Sequence, residues 1–116
     1  MITITGIAPN MIANNLTPYR PIHPGEILKD EIEYRKISQR KLAEQMGVSY
    51  TVLNEILNCK RSVNTEFALF IEAALGLEAD TLLRMQSSYN IQLAKQNKTI
   101  ISRFNEIRKI GVLGFA

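Results

Sequence analysis

Cysteine, histidine and tryptophan are almost missing from this chain of 116 residues, which holds one Cys, one His and no Trp. A lone Cys59 forms no internal disulfide, and with His23 as the single imidazole there are too few soft ligands for a zinc or iron–sulfur centre. A disulfide scaffold and a metalloprotein are therefore excluded, and no cofactor is expected. No apolar run approaches the roughly 20 residues that a membrane helix needs, and residues 1–17 lack the basic start and long apolar stretch of a secretory signal. The expectation is a cytoplasmic protein without membrane contact. A strong charge of one sign is missing too: 14 Lys and Arg against 11 Asp and Glu leave +3, which alone indicates no polyanionic partner. With 46% hydrophobic and 22% charged residues, the composition is that of a soluble globular domain. At this length folding buries somewhat over ~60% of the unfolded surface, enough for one modest core.

What charge there is, is segregated. Residues 1–28 are neutral, 29–62 carry seven basic against five acidic residues, 63–94 set Arg84 against Glu66, Glu72, Glu78 and Asp80, and 95–116 set five basic residues against Glu106. Two basic blocks thus flank an acidic one. A polyanion would meet the first basic block or the tail, and a basic partner the acidic block.

The punctuation predicts an all-α chain. Residues 1–20 form an N-terminal arm, with a weak strand-like alternation of Ile2 and Ile4 with Thr3 and Thr5. A domain over 21–95 follows. Pro24 suits the first position of a helix and Glu26 its positive end, and Ile27, Leu28 and Ile32 supply a buried stripe up to about Lys36. Ser38 caps a second, two-turn helix with Leu42, Ala43 and Met46 inward, closed by Gly47. Ser49 caps a third over Tyr50–Asn58, with Leu53, Ile56 and Leu57 inward. Asn64 or Thr65 starts a fourth with Phe67, Phe70, Ile71 and Ala74 at helical spacing, closed by Gly76. Near Asp80 a fifth begins, with Leu82, Met85, Tyr89 and Leu93 as its stripe. After a polar break at 95–99 the tail, residues 96–116, is basic and amphipathic and forms a possible sixth helix.

The sharpest feature runs from Ser38 to Leu57. Two short capped helices joined by the tight turn Gly47-Val48-Ser49 must cross steeply, which leaves the second one protruding. Its inward residues turn Tyr50, Thr51, Asn54 and Glu55 outward, hydrogen-bonding side chains in the N-terminal half, where a recognition helix meets base edges in a major groove. Asn54 suits an adenine edge, the Thr51 methyl a thymine methyl, and Tyr50 a phosphate or base. Ser49 at the cap belongs to the same surface, and Gln39 sits where it can brace a phosphate or reach a base. Arg40, Lys41, Lys60 and Arg61 bracket the unit and suit phosphate contacts, which give affinity without sequence information. Glu55 departs from the pattern, since a carboxylate repels phosphate unless it accepts from a cytosine amine. The same residues also fit a helical module that binds protein and has an ordinary polar face.

Ile37-Ser38-Gln39 with Leu42-Ala43, Gly47-Val48-Ser49, Leu53, Ile56 and Asn58-Cys59-Lys60-Arg61 closely resembles the Cro/repressor helix-turn-helix family. Arg20-Pro21-Ile22-His23-Pro24-Gly25-Glu26-Ile27-Leu28 and Leu83-Arg84-Met85-Gln86-Ser87-Ser88-Tyr89-Asn90-Ile91 resemble one branch of it, the HigA antitoxins. The resemblance spans about residues 20–95. It implies a five-helix, lambda-repressor-like domain that binds double-stranded operator DNA as a homodimer, represses its own operon and neutralises a HigB-like toxin that cleaves mRNA. A free-standing phage-type or chromosomal repressor without a toxin is the neighbouring possibility.

Two departures stand out. Where the family has Gly after the recognition helix this chain has Cys59, a side chain forced toward the left-handed region at a cost of about 1 kcal/mol. The basic tail goes beyond the family pattern. A homodimer would place two recognition helices about 34 Å apart over an inverted repeat, with Tyr89, Ile100 and Phe104 as interface candidates. Because basic toxins meet acidic surfaces, Glu66, Glu72, Glu78 and Asp80 are the candidate toxin contacts. No set of residues fills the roles of a catalytic site, so an enzyme is not expected. His23 is expected at the start of the first helix, packed near its cap.

Overall fold

The structure is a computed structural model and describes residues 20–114, so the arm expected over 1–20 lies outside the described residues except for Arg20. Among the described residues every element is helical: α1 (Pro24–Tyr34), α2 (Gln39–Met46), α3 (Tyr50–Leu57), α4 (Thr65–Leu75), α5 (Ala79–Gln96) and α6 (Lys98–Gly114).

Caps set these bounds. Ser38 Oγ accepts from the Lys41 N–H, Ser49 Oγ from the Val52 N–H and Asn64 Oδ1 from the Phe67 N–H, each satisfying an orphan donor of a first turn. At the other ends the backbone turns left-handed. Gly47 has φ 72° and Gly76 φ 78°, and the same conformation is taken by Lys36 (φ 58°) and Cys59 (φ 64°). Around Lys36, Gly47 and Cys59 two amides fold back onto carbonyls of the last turn: Lys36 and Ile37 onto Glu33 and Ile32, Gly47 and Val48 onto Glu44 and Ala43, and Cys59 and Lys60 onto Ile56 and Glu55. These are Schellman closures. The closure at Lys36 ends α1 at Tyr34, two residues short of the expected limit, and no glycine announces it.

The core is one cluster drawn from five helices. Leu28 and Ile32 of α1, Leu42, Ala43 and Met46 of α2, Leu53, Ile56 and Leu57 of α3, Phe67, Ala68, Ile71 and Leu75 of α4, and Ala79 and Leu82 of α5 are buried with Val63. Helix α3 packs on α1 and α2, α4 on α2 and α5, and α1 on α5. Gly25 permits the tightest approach, since a Cβ there would lie 1.9 Å from the Ile56 carbonyl oxygen.

The structure corrects three expectations. Ile27, assigned to the buried stripe of the first helix, is 44% exposed; the inward side is Pro24, Gly25, Leu28 and Ile32, and Ile27 stands about 100° round the helix from Leu28. Leu93, assigned to the stripe of α5, is also exposed, because the buried positions of that helix stop at Gln86. The polar break at 95–99 shrinks to Asn97, whose side chain accepts from the Ile100 N–H and so begins α6. No helix of the described residues is long and apolar enough to cross a membrane.

Candidate nucleic-acid interface

Helix α3 spans only eight residues, too short to hold itself together in water. Its hold is tertiary: Leu53, Ile56 and Leu57 are buried against α1 and α2. The rest of its surface is thereby determined. Tyr50 and Thr51 are exposed at its N-terminus, Asn54 and Glu55 are half-buried one turn on, and Asn58 is exposed where it closes. The structure thus brings Tyr50, Thr51 and Asn54 to one protruding edge with Ser49, whose hydroxyl is committed to capping.

Side chains around this edge brace one another. The Arg40 guanidinium lies over the Tyr50 ring, 4.4 Å from its centre, a cation–π contact that holds both at the α2–α3 rim. Asn54 Nδ2 donates to Gln39 Oε1 at 3.2 Å. Asn58 Nδ2 donates to the Asn54 backbone oxygen at 3.0 Å and to Asn54 Oδ1 at 3.2 Å, and Lys29 Nζ donates to Asn58 Oδ1 at 3.4 Å. Glu55 accepts from Arg61 Nε and Nη2 at 2.9 and 2.7 Å. The carboxylate that looked out of place is therefore the anchor of the Arg61 side chain, and its charge is balanced beside the edge it would otherwise make repulsive. Arg40, Lys41 and Lys60 form no ion pair among the described residues.

Sequence reasoning missed Lys29 and Asn58. The first lies on α1 and the second closes α3, 29 residues apart in sequence, and no local pattern links them.

Behind the loop carrying Lys60 and Arg61 lies His23. This imidazole is buried at the N-terminus of α1; its Nδ1 accepts from the Gly25 N–H at 2.8 Å, and the Tyr89 ring meets it edge-on at 4.9 Å. The Arg61 backbone lies near enough to the ring to favour its charged form. Burial pushes the His23 pKa down, more than the Arg61 contact and the nearby Glu26 raise it, so the neutral ring that the cap requires is favoured. Burial also raises the Cys59 thiol, with the Glu26 charge acting in the same direction. A thiol held protonated is a poor nucleophile, and the half-buried Cys59 serves as the residue that closes α3.

The remaining candidates are scattered. Tyr89 is engaged with His23 inside the chain, whereas Ile100 and Phe104 stand about half-exposed on α6. Glu66, in the first turn of α4, forms no ion pair among the described residues. Glu72 is engaged: its Oε1 accepts from the Ala79 N–H at 2.8 Å and so caps α5 from another helix, which Glu78 at the cap position does not do with its own side chain. Glu78 accepts from the Thr81 hydroxyl and Asp80 pairs with Arg84. Gln86, another residue the sequence reading left aside, accepts from the buried Val63 N–H at 2.9 Å and ties α5 to the loop before α4.

Four likenesses to known proteins stand beside this geometry. A family model described as helix-turn-helix matches residues 28–82. "Virulence-associated protein I" of Dichelobacter nodosus is 35% identical over 82 residues, covering 70% of this chain and 76% of that protein. Among solved structures, an addiction module antidote protein of a HigA family from Coxiella burnetii is 32% identical with a TM-score of 0.66, covering 78% of this chain and 95% of that one. The Pseudomonas aeruginosa antitoxin HigA with the higBA promoter is 33% identical with a TM-score of 0.63, covering 66% and 85%.

Proposed function

The chain belongs to the Cro/repressor-type helix-turn-helix family and, within it, to the HigA antitoxins, and on that premise we propose that it is a DNA-binding repressor acting as the antitoxin of a toxin–antitoxin pair. One observation carries the reading: a polar, braced edge of α3 between unpaired basic residues, in a chain one-third identical to an antitoxin solved with promoter DNA. Helix α3 enters the major groove, where Tyr50, Thr51 and Asn54 meet base edges. Gln39, Arg40, Lys41, Lys60 and Arg61 contact phosphates and supply the part of the affinity that is independent of sequence and sensitive to salt.

The protein acts as a homodimer in the cytoplasm. Two copies present their α3 helices about 34 Å apart to an inverted repeat in the promoter of their own operon. The half-exposed apolar residues Ile100 and Phe104 of α6 support an interface there. Its second partner is a basic, HigB-like ribonuclease toxin, met through the acidic surface around Glu66, Glu72, Glu78 and Asp80.

A gel shift on the chain's own promoter tests the DNA part. Asn54→Ala is expected to relax sequence preference, and Lys60→Glu to weaken binding to every sequence and flatten its salt dependence. Equal, weak binding by the wild type and both variants would instead make the chain a helical module for protein partners. Co-purification with the neighbouring gene product tests the toxin part. A stable complex without ribonuclease activity supports it, and failure to associate leaves a free-standing repressor.

A further inference from the structure

The side chains behind Asn54 form a directional chain whose two ends are chemically unambiguous. The Lys29 ammonium can only donate, so the Asn58 atom facing it at 3.4 Å is Oδ1. The Asn54 backbone oxygen can only accept, so the Asn58 atom facing it at 3.0 Å is Nδ2. With Asn58 oriented from both sides, its Nδ2 reaches the Asn54 side chain at 3.2 Å, and the atom there must be Oδ1. Asn54 Nδ2 then points the other way, to Gln39 Oε1 at 3.2 Å. Orientation passes from α1 through the end of α3 to its middle and across to the start of α2.

An Asn amide has two N–H donors and two carbonyl lone pairs. Gln39 takes one donor and Asn58 takes one lone pair, which leaves Asn54 with one of each. In the major groove adenine offers an acceptor at N7 beside a donor at N6, guanine two acceptors, cytosine a donor and thymine an acceptor with a methyl group. One donor beside one acceptor matches adenine in both bonds and guanine in only one. We propose that Asn58, oriented by Lys29, is a positioning residue that fixes the Asn54 amide so that the recognition helix selects an adenine.

This inference rests on the reading that α3 enters the major groove. The test uses the full-length protein and duplexes carrying its own promoter operator, alongside duplexes in which each A·T pair is changed singly to G·C. For the wild type one substitution per half-site is expected to weaken binding by about 10-fold or more, the scale of a bidentate base contact. Asn54→Ala should abolish that discrimination, and Asn58→Ala should cut it at least about threefold. A merely structural defect would weaken binding to the operator and to the substituted duplexes alike, leaving their ratio where it was. Lys29→Met, which leaves α3 untouched, is expected to reduce the ratio by a smaller factor. Full discrimination by Asn58→Ala, with Asn54→Ala losing it, overturns the positioning role and leaves Asn54 as a reader. Discrimination retained in Asn54→Ala overturns the placement of Asn54 itself, and a full ratio in Lys29→Met removes Lys29 from the chain.

Discussion

Among the described residues helix α3 is one of the two shortest and helix α6 one of the two longest, and they depend on their surroundings in opposite ways. Helix α3 has eight residues, a capped start, a strained Cys59 at its close, and side chains buried or hydrogen-bonded around much of its circumference. Helix α6 has 17 residues and packs against α5, with Ile107 at 59% and Ile110 at 70% exposure. The short helix is rigid because the rest of the domain surrounds it, as a surface that must present hydrogen-bonding groups in fixed geometry requires. The long one carries its own backbone bonds and leaves apolar side chains exposed.

The largest expected effect breaks α3. Leu53→Ala empties a fully buried position and should cost about 3 kcal/mol in denaturant unfolding, whereas Phe104→Ala on α6 should change monomer stability by less than about 0.5 kcal/mol while weakening self-association in sedimentation. Equal costs at the two sites would erase the contrast. Next, Ser49→Ala removes the hydroxyl that accepts from Val52 and should cost about 1 kcal/mol, read from the same unfolding midpoints.

A smaller effect depends on pH. Because burial holds the folded His23 pKa below the ordinary 6.5, the unfolded chain takes up a proton first as the pH falls. Stability is therefore complete above 6.5, declines below it, and levels off once the pH passes the lowered folded value. His23→Asn keeps a cap acceptor but does not titrate, so its stability should vary less between about pH 7 and pH 5 than the wild type's. The charged group facing His23 is Glu26, whose own carboxyl is pulled down chiefly by its hydrogen bond to Arg20. The smallest effect is a gain: Cys59→Gly relieves the φ of 64° and should stabilise the chain by about 0.5 kcal/mol, the released strain being offset in part by the freer unfolded backbone.

Much of this was legible along the chain because it is local chemistry. Pro24, Ser38, Gly47, Ser49, Asn64 and Gly76 mark their helix ends through bonds that reach no more than a few residues, and the spacing of Leu53, Ile56 and Leu57 dictates which side of α3 turns out. The outward set Tyr50, Thr51, Asn54 and Glu55 followed from that spacing. What the pattern does not contain is contact between distant segments. That Glu72 accepts from Ala79 and that Tyr89 lies edge-on to His23 is visible only in the folded chain, and Ile27 and Leu93 look buried until the neighbouring helices turn out not to cover them.

The sequence by itself determined the helices, their caps, the two-helix unit and its polar outer edge, since capping bonds and helical periodicity act over a turn or two. Only the tertiary structure decided how that edge is braced: Glu55 neutralised by Arg61, Arg40 laid over Tyr50, and Asn54 oriented through Asn58 from Lys29 on another helix. A hydrogen bond is directional and short, and its partners can be brought within 3 Å from anywhere in the chain, so the pairing exists only once the core has placed the backbones that carry them.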